Sequence, residues 1–474
     1  MKRIFLFLLS IGLVGTSLAQ EESFSFTLQE AQEYALEHNK TFLNAQSDIA
    51  LAEEKYKEAR GSGLPQVNGA MDYTTNFNYE FEFAFGGGGD VDPDVVNQAL
   101  QQTMADYPNW TMEDVMDYQA SQAFEQTLQS IMPASTIVME DQANASIQVS
   151  QLIFSGQYWV GLQMAKLSRE IAEKSLTASK NDLKENVANL YYGILASQKF
   201  LQIIDHILEN NRDILEQMQN MYEKGMVEEI EVDQIHMGIS ELENSKKSMQ
   251  RSLEYSINTF RFVLGIETTA RIEFRDDLNE FLEEVVEENL LASSFNIDNN
   301  PTFQLMEMQE KIGEKGIAMQ KWTYAPTVSG FYSYREKILK SSFDLSPKNT
   351  AGLTLNVPII SGGTRSAQLS QAKIEYEKIN RNKELLEEQL ELQNRQLIYE
   401  LKNALDNYQV QKENVAVAKR VYDNSNNKYK HGQLSVVELN QTRNNYLQAE
   451  NNYVSSILNL LQAKLKKDKL YNNL

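Results

Sequence analysis

The sequence predicts a mostly α-helical protein that also contains four β-strands. Two long stretches, 157–224 and 363–430, lack proline and are rich in Leu, Ala, Glu, Lys and Gln, which is typical of very long helices. Four shorter segments alternate apolar and polar residues with the period of two that a β-strand requires. The order helix, two strands, long helix, return helix occurs twice, which predicts an internal structural repeat. Helices of this length pack as coiled coils, so we expect long antiparallel helical hairpins.

The N-terminal residues resemble an export signal, and the composition fits an exported protein. Lys2 and Arg3 precede an apolar run, and the small residues up to Ala19 suit a cleavage site, so we expect 1–19 to be a signal peptide. The apolar run is too short to cross a bilayer as a helix. The chain has no cysteine, so we expect no disulfide and no lipid-modified N-terminus. Its net charge of −22 argues against a nucleic-acid partner.

The internal repeat is visible as short matches at a constant offset. Three matches lie 207 positions apart: LQMAK with LSQAK (from 162 and 369), YEKG with YKHG (from 222 and 429), and EVDQ with ELNQ (from 231 and 438). Upstream the offset is 261, as NKTF from 39 and NPTF from 300 show. The strand-to-helix turns, Ser155-Gly156 and Ser361-Gly362, are 206 apart. The difference, 261 − 206 = 55 residues, indicates an insertion between Pro65 and Gly156.

These matches give the predicted boundaries of the two repeats. The first repeat spans 24–266 and begins with a helix at 28–60, the second spans 287–470, and a connector at 267–286 joins them. In the first repeat we expect strands at 65–80 and 142–154, an insertion at 80–140, and long helices at 157–224 and 230–264. In the second repeat we expect strands at 326–338 and 350–360 and helices at 363–430 and 436–468.

The strands carry apolar residues on one face and mostly uncharged polar residues on the other. The positions predicted to face lipid are Ile147, Val149, Leu353, Leu355 and Val357. A soluble sheet with one wet face would show the same alternation, but the exported context, the scarcity of charge and the tyrosines favour strands between lipid and a water-filled lumen. Four strands do not close a barrel, and an open edge is not tolerated in lipid. Three copies would supply twelve strands, which is enough for closure.

With the Tyr-x-x-Gly motif before each return helix, these features resemble the TolC-type outer membrane efflux proteins over residues 24–470. The resemblance implies a homotrimer whose twelve-stranded barrel in the Gram-negative outer membrane continues into a periplasmic α-barrel. It implies a passive exit duct of a tripartite efflux or type I secretion system, which exports small molecules or proteins. An inner-membrane pump would deliver them through a periplasmic adaptor protein. The insertion at 80–140 would be an unusually long extracellular loop whose helical content caps the pore.

Two Tyr-x-x-Gly turns end the long helices. A glycine at positive φ is a common helix C-cap, and we expect one at both turns. The resemblance implies that the turns form the periplasmic aperture where the adaptor docks. The residues assigned to this aperture and docking site are Tyr222, Gly225, Met226, Val227, Tyr429, Gly432, Gln433 and Leu434. We expect Met226, Val227 and Leu434 to be exposed there, whereas the two tyrosines fit either an aperture or ordinary helix packing.

Glu231 and Glu438 each lie six positions after a turn glycine. The resemblance implies an acidic residue here that lines the narrow entrance, so three copies would form a ring of six carboxylates that favours cations. The alternative is a solvated helix N-terminus, where the helix dipole favours Glu. Glu228 and Glu229 are the next candidates for such a ring. The family often closes this entrance through a basic residue just after the second glycine, and this chain has none there.

No group of residues in the sequence predicts an enzyme, a cofactor or a metal site. The four histidines have no helical metal-ligand spacing, and no phosphate-binding loop or nucleophile elbow occurs. We therefore expect no catalytic residue and no cofactor. Two alternatives to the exit duct stay open. A structural or adhesive coiled-coil protein of the cell surface would leave the doubled strands unexplained, and an exported enzyme would lack a site.

Overall fold

A computed structural model describes residues 23–77, 79–83, 93–119, 135–287, 294–339 and 346–474. The predicted signal peptide lies outside these residues, as do parts of the predicted insertion. The chain forms two compact units, which we call the helical unit (up to residue 57, 160–321 and 363–474) and the sheet unit (58–159 and 322–362). Among the described residues, no helix is long and apolar enough to cross a membrane.

The long helices follow the predicted order. In chain order the elements are β1 (Ser23–Phe26), α1 (Leu28–His38), α2 (Lys40–Gly61), β2 (Gln66–Thr74), β3 (Tyr79–Phe83), α3 (Pro93–Asp106), α4 (Met112–Gln119), β4 (Ser135–Met139), β5 (Gln142–Phe154), α5 (Gly156–Glu223), α6 (Glu229–Leu264), β6 (Arg271–Phe274), α7 (Leu278–Glu287), a 3-10 turn (Ile297–Asn299), α8 (Pro301–Trp322), β7 (Thr327–Leu339), β8 (Asn349–Asn356), α9 (Thr364–Lys430) and α10 (Val436–Leu470). Helices α5, α6, α9 and α10 begin and end within two residues of the predicted positions. Helices α5 and α9 are each about 100 Å long.

The two long hairpins, α5–α6 and α9–α10, share one apolar core near their turns, which we call the hairpin core. Its buried residues are Ile204, Ile207, Leu208, Ile214, Met218, Ile235, Ile239, Leu242, Tyr422, Tyr429, Val436, Leu439 and Tyr446. All four helices contribute, so this core joins the two repeats. Ion pairs from Arg212 to Glu243 (2.7 Å) and from Lys246 to Asp205 (2.5 Å) also link α5 and α6. Such surface pairs contribute at most about 1 kcal/mol each, so the apolar core provides most of the stabilisation.

A second core surrounds Tyr191 of α5 and includes the predicted connector. The connector contains β6 and most of α7, and β6 pairs in parallel with β1, a strand that the sequence did not predict. The Tyr191 hydroxyl donates to the carbonyl of Phe26 (2.9 Å), while its ring packs against Phe260 and Phe274. Burial raises the pKa of Tyr191, so this hydroxyl stays a hydrogen-bond donor. The N-terminal strand is therefore held by both the connector and a long helix.

The predicted first helix, 28–60, is wrong in one respect, because it is broken at Asn39. The Asn39 Oδ1 accepts from the backbone N–H three residues later (2.9 Å), and its Nδ2 donates to the carbonyl of Val263 near the end of α6 (2.7 Å). Asn300 acts in the same way in the second repeat. Its Oδ1 accepts from the backbone N–H of Phe303 (3.2 Å), and its Nδ2 donates to the carbonyl of Leu470 (3.0 Å). We call these two arrangements the asparagine clasps. They recur at the offsets, 261 and 207, that the sequence matches give.

The sheet unit contains a four-stranded antiparallel sheet in the order β2-β5-β7-β8. Its register places Val67, Val149, Tyr332 and Ala351 side by side across the four strands. Because side chains alternate between faces, Leu353 and Leu355 lie on the same face as this row. The apolar positions of all four strands therefore share one face. Strands β2 and β8 are the two outer strands of this sheet.

Two predicted strands are longer than the observed ones. The strand predicted at 65–80 ends at Thr74, because Phe77 has a left-handed φ of 50°. The chain then enters β3, which pairs with β4 in a separate ladder within the predicted insertion. The strand predicted at 350–360 ends at Asn356, two residues before Pro358, which cannot donate a ladder hydrogen bond. Val357 is exposed but lies beyond the strand, so its assignment as a strand position was wrong.

Candidate functional site

The candidate site is the pair of turns that connect the long helices, turn 1 (221–231) and turn 2 (428–438). In each turn the glycine N–H donates to the tyrosine carbonyl three residues earlier, at 2.8 Å for Gly225 and 2.9 Å for Gly432. The N–H of the residue after each glycine donates to the carbonyl five residues before it: Met226 to Met221 and Gln433 to Lys428, both at 2.9 Å. The glycines have φ values of 70° and 69°. Both turns are therefore Schellman endings with nearly equal geometry, as the motif predicts.

The two acidic candidates occupy the third position of their return helices but have different neighbours. Glu438 forms a capping box with Ser435, in which Ser435 Oγ accepts from the Glu438 N–H (3.3 Å) and Glu438 Oε2 accepts from the Ser435 N–H (3.4 Å). Glu231 follows Glu228, whose side chain forms no capping hydrogen bond. Glu438 is exposed and Glu231 is half-buried. The helix N-terminus thus gives Glu438 a local structural role that Glu231 lacks.

The two turn tyrosines also differ, although the sequence pairs them. Tyr222 is 44% exposed, whereas Tyr429 is 7% exposed and belongs to the hairpin core. Burial, with a smaller contribution from the carboxylate of Glu231, raises the pKa of Tyr429 to about 12. Its hydroxyl has no hydrogen-bond partner among the described residues. For Tyr429 the structure therefore shows helix packing, while Tyr222 is available to a partner.

The apolar surface of the turns differs from the predicted one. Met226 is exposed, as expected, but Val227 and Leu434 are half-buried and pack against the hairpin core, so their predicted exposure was wrong. The exposed apolar residues that the sequence reasoning missed are Ile230 and Val437, at 59% and 64% exposure. They are equivalent positions, 207 apart, in the first turn of α6 and of α10. The sequence signal that could have identified them is an apolar residue at the same position after the turn glycine in both repeats.

The two turns carry opposite charge. Turn 1 contains four carboxylates and one lysine, whereas turn 2 contains two lysines and one carboxylate. Gln433 follows Gly432 and is exposed, at the position that Met226 occupies in turn 1. Equal backbone geometry thus presents two surfaces of different electrostatic character.

The strand-to-helix turns match in sequence but not in conformation. Ser155 is buried, and its Oγ accepts from the backbone N–H of Tyr158 (3.3 Å) at the start of α5. Gly156 has no room for a Cβ, because the ring of Trp322 lies against it. In the second repeat, by contrast, Gly362 and the following glycine adopt φ values of 56° and 85° after Ser361. The one-residue difference in offset falls at this second, left-handed turn.

The predicted lipid-facing residues lie where the alternation placed them, with the exception of Val357. Leu353 and Leu355 are 77% and 62% exposed, Ile147 is exposed, and Val149 is half-buried. The opposite face carries residues such as Thr354 and Gln148. Among the described residues, no group of three or more His, Asp or Glu is placed to hold a metal ion.

Comparison with known proteins identifies the fold and the family. The outer membrane efflux protein family matches residues 133–265 and 295–469. The structure of CusC aligns with 94% of this chain and 91% of its own at 14% identity and a TM-score of 0.69. VceC from Vibrio cholerae aligns over 94% and 96% at 14% identity and a TM-score of 0.66. The open-state MtrE outer membrane channel from Neisseria gonorrhoeae aligns over 94% and 88% with the same identity and TM-score.

No curated protein matches the chain significantly. At such low identity the structural matches show a shared fold. The family match covers well over half of the chain and parts of both predicted repeats. This confirms the resemblance inferred from the doubled strands and the Tyr-x-x-Gly turns. The chain belongs to the outer membrane efflux protein family.

Proposed function

We propose that this chain is the passive outer-membrane exit duct of a tripartite efflux or type I secretion system. The family consists of outer-membrane efflux channels, and the shared fold covers nearly the whole chain. Cargo, whether small molecules or protein, would arrive from an inner-membrane pump through a periplasmic adaptor protein. A surface adhesin, the alternative reading, explains neither the family match nor the doubled strands.

The observation that carries the proposal is the register of the four-stranded sheet. Strands from both repeats place their apolar residues on one face and their polar residues on the other. Large apolar residues on that face, such as Leu353, Met71 and Tyr73, are exposed. A sheet in water would bury these side chains, whereas one in a membrane would turn them toward lipid.

The two outer strands support a homotrimer. Strands β2 and β8 each leave one edge unpaired within the described sheet, and an unpaired edge is not stable in lipid. If β8 of one copy pairs with β2 of the next, three copies close a barrel of twelve strands. The sheet would then lie in the outer membrane, with the long helices in the periplasm.

Turns 1 and 2 are the proposed periplasmic entrance and adaptor-docking site. Glu231 and Glu438, three copies of each, would form the acidic ring, and the exposed Tyr222, Met226, Ile230 and Val437 would contact the adaptor. The backbone of both turns, including Gly225, Gly432 and Gln433, would present similar surfaces of different charge. MtrE is described in an open state, and we propose that this entrance also has open and closed arrangements.

Charge substitutions on opposite faces of β8 test the proposal. Leu353→Arg would place a cation on the lipid face, where it costs about 2–4 kcal/mol near the membrane midplane. Thr354→Arg, one residue further on the other face, is the matched control and should cost much less. We expect Leu353→Arg to reduce the yield of heat-modifiable trimer and of channels in planar bilayers. Equal yields for the two variants would contradict a lipid-facing sheet.

A further inference from the structure

Arg443 of α10 is a buried cation beside the hairpin core, and it has no acidic partner among the described residues. The residue is 3% exposed. Its guanidinium makes two long hydrogen bonds to Asn444 Oδ1, at 3.3 and 3.4 Å, and forms no ion pair with any described residue. Burial lowers the pKa of Arg443, while Tyr422 and Glu241 act on it in the opposite direction without forming an ion pair. A buried guanidinium normally has a carboxylate within ion-pair distance, so this arrangement requires an explanation.

The neighbouring helix α6 makes room for this side chain with Gly238. A Cβ at this position would lie 2.5 Å from Nη1 of Arg443 and 3.2 Å from its Nη2. Gly238 is buried and is the single glycine of α6, where glycine is unfavourable relative to alanine. The glycine is therefore explained by the guanidinium that packs against it.

A residue from α9 completes the cluster and leaves a second polar group unsatisfied. The ring of Tyr422 stacks on Tyr446 of α10 with 5.5 Å between the centroids. Its hydroxyl is buried without a hydrogen-bond partner among the described residues. Burial raises the pKa of Tyr422 to about 12, so the hydroxyl stays neutral and supplies no negative charge to Arg443. The cluster joins the α5–α6 hairpin to the α9–α10 hairpin.

A buried charge without a partner destabilises the packing that excludes water from it. Separation of α6 from α10 would return water to the guanidinium and remove this penalty. We propose that Arg443, packed against Gly238, biases the two hairpins toward separation and so favours the open entrance of the duct. This inference rests on the proposed function, because an entrance exists only if the chain is a duct. The proposed effect is the opposite of a latch: a latch would hold the two hairpins together, whereas Arg443 would favour their separation.

Three variants in planar bilayers test the bias. Arg443→Met removes the charge and keeps an apolar side chain, and we expect the open fraction to fall by about tenfold or more, the ratio typical when a buried ion is replaced by an apolar residue. Gly238→Ala should raise the open fraction, because its Cβ displaces the guanidinium. In the Arg443→Met background the same alanine should have little effect, because the shorter, flexible methionine can move aside. Arg212→Met is the control, since Arg212 is exposed and paired within one hairpin.

A labelling experiment makes the test independent of conductance. The chain has no cysteine, and Leu439 lies in the hairpin core one turn before Arg443, so Leu439→Cys provides a single buried thiol. In purified trimer, the thiol should react with a maleimide more slowly when Arg443→Met is also present. Faster labelling or a larger open fraction in that variant would make Arg443 a latch, and unchanged values would make it merely structural; either result overturns the bias. Absence of channels in the wild type, with the labelling difference intact, would instead overturn the proposed function.

Discussion

Glu231 and Glu438 show how one residue type in one helical position can have two roles. The carboxylate of Glu438 accepts a hydrogen bond from the backbone of Ser435, whereas Glu231 has no such partner and lies near the buried Tyr429. A capping box also forms with glutamine. Replacement by glutamine therefore removes the charge of Glu438 without removing its cap, which separates the proposed ring from the local role.

The double variant Glu231→Gln, Glu438→Gln should lose cation preference and keep its fold. We expect the ratio of cation to anion permeability to fall severalfold, because three copies lose six carboxylates at a narrow point. Reversal potentials across a salt gradient measure this ratio. Glu228→Gln with Glu229→Gln is the matched control in the same turn. If the control changes selectivity and the double variant does not, the ring lies at the control positions.

Among the elements, the long helices were predictable and the details of their ends were only partly so. Proline-free stretches that end in Gly225 and Gly432 define the helices closely, because glycine supplies the left-handed C-cap. The early end of strand β2 was not predictable in this way, since the left-handed φ just after it belongs to Phe77, which is not a glycine. The packing of Val227 and Leu434 depends on residues distant in sequence, so local pattern did not indicate their burial.

The corrected exposure changes the best test of adaptor docking at turns 1 and 2. Val227→Asp or Leu434→Asp would destabilise the hairpin core by about 1–3 kcal/mol and confuse folding with docking. Ile230→Asp with Val437→Asp alters only exposed side chains. We expect this double variant to form normal trimers but to lose crosslinking to the adaptor. Cells that carry it should lose export and become sensitive to the exported drug or cargo.

Met237→Asp is the matched control for this docking variant. Met237 is exposed and lies two turns further along α6 than Ile230. It should leave crosslinking and transport unchanged. Full transport by the Ile230→Asp, Val437→Asp variant would remove these positions from the docking surface.

For the whole molecule, the open edges of β2 and β8 determine the expected assembly. The two edges are different strands, so pairing of β8 in one copy with β2 in the next would be head-to-tail and would close only at a fixed number of copies. The count of four strands made closure by three copies possible, and the family resemblance implied the number three. The separate β3–β4 ladder does not change it, because that ladder is not part of the four-stranded sheet.

The mass of the protein in detergent should equal that of three chains. Because the chain has no cysteine, Met71→Cys in β2 and Leu353→Cys in β8 supply defined sites for a bifunctional thiol reagent. Crosslinking of the double variant should give a ladder that stops at three chains, while each single variant should stop at two or fewer. A folded monomer in the membrane, or a ladder beyond three chains, would contradict the trimer.

The asparagine clasps have a consequence for ancestry. Each clasp ties the beginning of a repeat to the end of the same repeat, Asn39 to Val263 and Asn300 to Leu470, rather than to the other half. A half-length gene product would therefore have carried its own closure, and six identical copies would have made the ring that we propose for three copies of the present chain. Duplication and fusion would then have freed the halves to diverge. The first half now carries the insertion and an acidic turn, and the second a shorter loop and a basic turn, so in the proposed trimer a sixfold ancestor would have become a threefold assembly with two kinds of site.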